Sequence, residues 1–251
     1  MDSRVAVVTG ASSGIGASLA RALAARGWHT VLLARREERL RALANELGGD
    51  YEVCDVGDRD AVEAAAARIA DRHRAIALLV NNAGIPGRAG FLAADPERIV
   101  EVLRVNYLGS VWCLRAFLPG LEAAGRADVV NVVSVAGTVA YPPSGPYGAT
   151  KHAQLAFSRA VAAELRPRGI RVHTVLPGFV ETEGFPQRAV MRNPLLRRLV
   201  VDPDLVVRRI LGALEHDRRE LHVPRWYRAA TLAQALAPGL LSRMLEGRGR
   251  R

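Results

Sequence analysis

Aromatic residues make up only 5% of this 251-residue sequence, so any core must be built mostly from aliphatic side chains. Alanine, leucine and valine supply them, within an apolar fraction of 49% that is ordinary for a soluble globular protein. Cysteine is nearly missing. Cys54 and Cys113 form no CxxC pair and no metal-ligand spacing, and they read as reduced core residues of a cytosolic protein. The six histidines show no such spacing either, and no metal is expected. No basic-then-apolar leader precedes Val5–Val8, and no apolar run could span a bilayer, so a cytoplasmic location is the default expectation. Low-complexity linkers and solenoid repeats are also missing, which leaves residues 1–251 as one expected domain.

Acidic residues are in short supply. Twenty-five stand against 35 basic ones, for a net charge of +10. Such a balance permits attraction to nucleic acid, an anionic membrane or a phosphorylated ligand. The arginines are scattered, with short clusters such as Arg35-Arg36 and Arg218-Arg219, and no long basic block occurs. A solvated arginine-rich surface is therefore expected, and no nucleic-acid partner.

What is present is an alternation. Short β-branched runs occur at Val5–Val8, Thr30–Leu33, Tyr51–Val53, Ile76–Val80, Val129–Val133, Ile170–Val175 and Glu220–Val223. Between them lie stretches with helical spacing at Ile15–Arg26, Glu37–Leu47, Arg59–Arg72, Pro96–Ala124, Tyr147–Arg166 and Pro203–His216. Apolar strands separated by amphipathic helices predict repeated βαβ units. The expected fold is α/β, a Rossmann-type doubly wound parallel sheet of about seven strands, with ligands beyond the carboxyl ends of the strands. Glu183–Val201, with Gly184, Pro186 and Pro194, reads as a substrate lid.

The first strand runs into Thr9-Gly10-Ala11-Ser12-Ser13-Gly14-Ile15-Gly16 and then a helix. Glycine lets the backbone turn tightly and approach a ligand, and the helix N-terminus offers free N–H groups to a pyrophosphate. This spacing resembles the T-G-x-x-x-G-x-G of the short-chain dehydrogenase/reductase family. The resemblance implies a nicotinamide cofactor at this turn.

The second strand ends at Leu33-Ala34 and is followed by Arg35, where an acid would repel a 2′-phosphate. A guanidinium fork suits that phosphate instead, and the resemblance at Arg35 implies NADP(H) in preference to NAD(H). Ser12 is a second candidate contact to the 2′-phosphate or ribose. By resemblance, Asp55 and Val56 would hold the adenine, Asn81 would brace the sheet, and Asn82, Ala83 and Gly84 would line the cofactor site.

Tyr147-Gly148-Ala149-Thr150-Lys151 places a phenol and an ammonium one helical turn apart. A nearby cation favours phenolate, so Lys151 is expected to lower the pKa of Tyr147 and fit it for proton transfer. Ser134 closes the fifth strand, where its hydroxyl could steady a developing oxyanion. Asn106 falls inside a long helical stretch, where asparagine is a poor former and hints at a kink or a bound water. By resemblance, Asn106, Ser134, Tyr147 and Lys151 match the family's catalytic tetrad, and Pro177, Gly178, Val180 and Thr182 match its loop beside the nicotinamide. His152 points off the catalytic face and is expected to be exposed.

The expected activity interconverts a carbonyl and an alcohol on an apolar small molecule. Val139, Tyr141, Pro142, Phe185, Val190, Met191 and Leu195 would line the pocket, while Arg188 and Arg192 leave room for an acidic substrate. Two alternatives are a non-catalytic NADP-binding scaffold and a lipid- or steroid-type reductase at a membrane surface. The chain lacks the Asp-Gly-Gly tail of many short relatives and continues into residues 226–245, a C-terminal helical extension. Packing on the body or at a homo-oligomer interface, in a dimer or tetramer, is preferred there to a basic amphipathic helix on a membrane.

Overall fold

Successive residues of a strand face opposite ways, and here both faces are covered. In β1 (Val5–Thr9) every residue is buried. Ala6 and Val8 join one apolar cluster, Val5 and Val7 another. In β2 (His29–Ala34) and β4 (Leu78–Asn81), Leu32, Leu78 and Val80 go to the first cluster. Val31, Leu33 and Leu79 go to the second. The computed structural model describes residues 4–87, 89–140, 145–185 and 196–245. Its first face is covered by α1 (Gly14–Ala24), α2 (Glu37–Leu47) and α7 (Pro203–Glu215). The second is covered by α3 (Arg59–Arg72), α5 (Gly109–Ala123) and α6 (Gly145–Leu165).

The remaining strands are β3 (Asp50–Val53), β5 (Ala127–Val132), β6 (Ile170–Pro177), the short pair β7 (Phe179–Val180) and β8 (Val200–Val201), and β9 (Glu220–Val223). Seven of them form one parallel sheet in the order β3-β2-β1-β4-β5-β6-β9. The chain winds outward from β1 to β3 and then returns to lay β4 against the other side of β1. This reversal opens a crevice beyond the ends of β1 and β4, the usual ligand position in such sheets.

The doubly wound sheet is as the sequence predicts, with element ends displaced by a residue or two. Two long helical stretches are broken. α4 (Pro96–Leu103) passes into a π-helical turn, Arg104–Leu108, before α5. The leucine-rich C-terminal stretch divides into α8 (Arg228–Leu236) and α9 (Pro238–Leu245), because a proline disfavours helical geometry in the residue before it. Of the expected lid, 186–195 lies outside the described residues. Its flanks are Glu183–Phe185 and a 3₁₀ turn, Leu196–Leu199, that leads into β8.

Candidate active site

Helix capping separates α1 from its neighbours. α3, α4 and α7 begin with Asp58, Asp95 and Asp202, each accepting backbone N–H groups of the first turn. Each also carries an acid inside that turn: Asp60, Glu97 or Asp204. α1 has neither. Ser13 at its cap makes no side-chain bond to the N–H groups of the first turn, and no acid follows. The partial positive charge and free N–H groups of α1, which opens onto the glycine-rich turn, are left for an outside anion.

The turn before α1 is held to the next strand in detail. Thr9 Oγ1 donates to Val80 O (3.0 Å) and accepts from the N–H of Asn82 (3.0 Å) and Ala83 (3.1 Å). Asn82 Nδ2 donates to Thr9 O at 3.0 Å. Gly10 sits at φ +65°, the left-handed region. A Cβ on Gly16 would lie 2.4 Å from Gly10 O, so the helix can approach the turn only through glycine. Asn81 Nδ2 donates to Asn131 Oδ1 (2.9 Å), joining β4 to β5 deep in the sheet.

At the end of β2 two arginines divide the work. Arg35 reaches Asp55, with Nη1 3.6 Å from Oδ2. Arg36 turns to the glycine-rich loop, donating to Ser12 Oγ (2.9 and 3.1 Å) and Ser13 Oγ (2.7 Å), and pairs with Glu183 at 2.9 Å. Asp55 Oδ1 accepts from Gly57 N at 2.9 Å. Both guanidiniums are half exposed at the same end of the cleft.

At the other end the four expected tetrad residues converge. Ser134 accepts from Ala136 N (3.1 Å), and its hydroxyl hydrogen-bonds Tyr147. Lys151 Nζ lies 5.7 Å from the Tyr147 ring centre. It donates to Val132 O (3.0 Å) and to Gln154 Oε1 (2.7 Å), and Gln154 in turn donates to Ser110 Oγ (2.8 Å). Asn106 sits in the π-helical turn. Its Oδ1 accepts from Ile85 N (2.7 Å), and its Nδ2 donates to Ile85 O (3.0 Å) and Thr150 Oγ1 (3.2 Å). The widened turn explains how a poor helix former is kept here: its amide bonds the loop after β4.

One expectation about this group is reversed. Burial pushes the Tyr147 phenol up to about 12 and outweighs the opposing hydrogen bond from Ser134. Burial also lowers Lys151 to about 7. The cation expected to pull the tyrosine down is itself desolvated, and burial is the leading influence on both groups. A lysine can respond in this way and an arginine cannot. The composition bears on the point: Lys151 is the only lysine in the sequence, all 34 other cationic side chains being arginine.

These elements enclose a cleft of about 810 Å³, continuous from Arg35, Arg36 and Asp55 past the glycine-rich turn to Ser134, Tyr147, Lys151 and the Pro177–Val180 segment. An extended dinucleotide fits its chemistry: uncapped helix N–H groups mid-way for a pyrophosphate, guanidiniums at one end, and a buried tyrosine–lysine pair at the other. Residues 4–192 match the short chain dehydrogenase family. The protein belongs to that family. An uncharacterized oxidoreductase of Mycobacterium tuberculosis is 45% identical over 181 residues, 72% of this chain and 70% of its own. The actinorhodin polyketide ketoreductase, solved with NADPH, superposes with a TM-score of 0.76 at 33% identity, over 84% of this chain and 90% of its own. A short chain dehydrogenase/reductase of Burkholderia phymatum, solved with NAD, gives 0.84 at 26% identity, over 96% and 95%. The chain is accordingly an oxidoreductase of the nicotinamide-dependent kind that acts on small molecules.

Within this family fold, three residues join the site that local motifs do not single out. Arg36 faces the turn and reaches Ser12 and Ser13, where Arg35 and Ser12 were the expected contacts. Gln154 fixes Lys151 from one helical turn further on. Tyr227, from the C-terminal segment, lines the cleft and donates to Leu199 O at 3.0 Å. A Cβ on Gly178 would fall 2.1 Å from the Tyr227 ring, so that glycine is the mate of a residue 49 positions away. The single lysine was a signal for Lys151. Nothing local signals Tyr227.

Val139 and Phe185 line the cleft, and Phe185 packs against Tyr147 with ring centres 5.5 Å apart. Tyr141, Pro142, Arg188, Val190, Met191, Arg192 and Leu195 lie outside the described residues. Thr182 Oγ1 accepts from Phe185 N (3.2 Å), and His152 is exposed. Cys54 and Cys113 are buried free thiols, Cys54 raised to about 11 by burial. At the opposite end of the strands Asp50 accepts from both His29 (3.0 Å) and His73 (2.6 Å), a grouping that linear spacing does not reveal. The carboxylate satisfies both rings, and together they tie β2, β3 and the end of α3. No described helix is long and apolar enough to cross a membrane.

Proposed function

We propose that this protein is an NADP(H)-dependent oxidoreductase that interconverts a carbonyl and an alcohol on an apolar small molecule. The observation that carries the reading is the meeting of Ser134, Tyr147 and Lys151 at the end of a cleft whose middle holds the uncapped α1 terminus. When bound, the nicotinamide supplies or accepts the hydride. Every other role belongs to the chain. Tyr147 exchanges the proton with the substrate oxygen, and Ser134 holds that oxygen as charge develops on it. Lys151, one helical turn from Tyr147, would bind the nicotinamide ribose. Asn106 positions a water that links Lys151 to solvent.

The cofactor residues are Gly10, Ser12, Ser13, Gly14, Ile15 and Gly16 at the turn and Asp55, Val56, Asn82, Ala83 and Gly84 along the crevice. Pro177, Gly178, Val180 and Thr182 act beside the nicotinamide. Preference for the 2′-phosphate is assigned to Arg35 together with Arg36, the latter already braced on Ser12 and Ser13. An apolar substrate accords with Ile85, Val135, Val139, Phe179 and Phe185 on the cleft wall. Residues 1–251 act as one domain, with 183–201 as its lid.

Calorimetric titration with NADPH and, separately, NADH tests the reading. Tighter NADPH binding, lost selectively in Arg35→Ala or Arg36→Ala, is the expected result. Equal or tighter NADH binding would remove the NADP assignment, and binding of neither would favour a scaffold. Turnover of a carbonyl panel, undiminished in Tyr147→Phe, would overturn the proton-transfer role.

A further inference from the structure

The C-terminal segment is built the wrong way round for a helix that merely packs on the body. In α8 no residue is buried. The side turned to the body is polar: Thr231 Oγ1 bonds Thr138 Oγ1 (2.8 Å) and His222 Nε2 (2.9 Å), and Gln234 Oε1 accepts from Ala140 N (3.2 Å). The opposite side carries the leucines. Leu232 is 48% exposed and Leu236 82%, followed by Leu240 in α9 at 62%, with Trp226 just before α8 at 51%. Arg228, Leu232 and Leu236 stand four residues apart and share one stripe. Isolated exposed leucines need no explanation, but a helix whose apolar side is its outer side does.

Charge identifies the occupant. Residues 225–245 contain Arg225, Arg228 and Arg243 and no aspartate or glutamate. All three arginines are exposed, and none has a salt bridge among the described residues. A second copy of a +10 chain, docked through this face, would oppose like charges across the contact. An anionic bilayer meets both demands, taking leucine and tryptophan at the acyl boundary and arginine at the headgroups. The position is also telling. Ala230 of α8, and Tyr227 just before it, line the cleft.

We propose that Trp226, Leu232, Leu236 and Leu240, with Arg225, Arg228 and Arg243, form a surface that docks on an anionic lipid bilayer and brings the mouth of the cleft to it. Docking is peripheral, and it does not depend on the cofactor or substrate reading. A bilayer-dissolved substrate would then reach Tyr147 without crossing water.

The test is co-sedimentation of the full chain with phosphatidylcholine vesicles, with and without phosphatidylglycerol, at low and high salt. Binding is expected only with phosphatidylglycerol, weaker at high salt, with a blue shift of tryptophan emission. Leu232→Glu/Leu236→Glu/Leu240→Glu should weaken partitioning by about tenfold or more, and Arg225→Gln/Arg228→Gln/Arg243→Gln should remove most of its salt dependence. Both variants should keep the parent's circular dichroism and cofactor titration, because the altered side chains are exposed. Three results would overturn the proposal: no sedimentation with either vesicle, binding indifferent to the leucine changes, or a leucine variant that dissociates a parent dimer in the absence of lipid.

Discussion

The first half of the sheet and the C-terminal segment treat glycine in opposite ways. Around the crevice, a Cβ on Gly10 or Gly16 would strike backbone atoms at 2.8 and 2.4 Å. In the C-terminal part, Gly212 and Gly239 face open space, with nothing within 4 Å. The same residue type is a geometric necessity in one region and incidental in the other. The difference teaches that motif strength in this chain follows backbone crowding. Where strand, turn and helix must meet around a dinucleotide, few sequences will serve. Where one side of a helix faces open space, many will.

The largest expected effect breaks the chemistry without touching that crowding. Tyr147→Phe should reduce kcat by about 10²–10⁴-fold while NADPH affinity stays within about twofold of the parent by the same calorimetry. A parallel loss of binding would mean that the tyrosine builds the site and does not only act in it. Next come Arg35→Ala and Arg36→Ala, each expected to weaken NADPH by about tenfold or more, as for a charged hydrogen bond worth about 1.5–3 kcal/mol, and to leave NADH unchanged. A loss confined to one of them would show which guanidinium the phosphate meets.

Gly16→Ala tests the crowded region directly. The overpacked methyl should cost about 1–3 kcal/mol in denaturant unfolding. Lys151→Met probes burial through pH. The folded pKa of Lys151 is lowered to about 7, against about 10.4 in an unfolded chain. Between those values the unfolded state holds a proton that the folded state lacks, so stability of the cofactor-free protein should rise with pH across that window. The rise between about pH 7 and about pH 9 should be about 2 kcal/mol, and Lys151→Met should flatten it. The smallest effect sharpens the comparison from the other side. Gly212→Ala, in the interior of α7 and facing open space, should stabilise by about 0.5–1 kcal/mol. If it destabilised as Gly16→Ala does, the contrast between the regions would be false.

Sequence by itself determined the order of strands and helices, because burial on both faces leaves β-branched runs that no amphipathic helix produces. It also determined the candidate residues that act through local spacing: the glycine-rich turn, Asn82-Ala83-Gly84 and the Tyr147–Lys151 pair. Asn106 was legible as an anomaly, a poor helix former that the π-helical turn accommodates. Tertiary structure alone decided what depends on surroundings. It set Arg36 beside Ser12 and Ser13, brought Tyr227 onto Gly178, and turned the leucines of α8 outward while Thr231 and Gln234 face the body. It also reversed the expected tyrosine pKa. Spacing along a helix shows that an ammonium stands near a phenol, but only the depth of burial tells whether that ammonium keeps its charge, since desolvation is a property of everything packed around it.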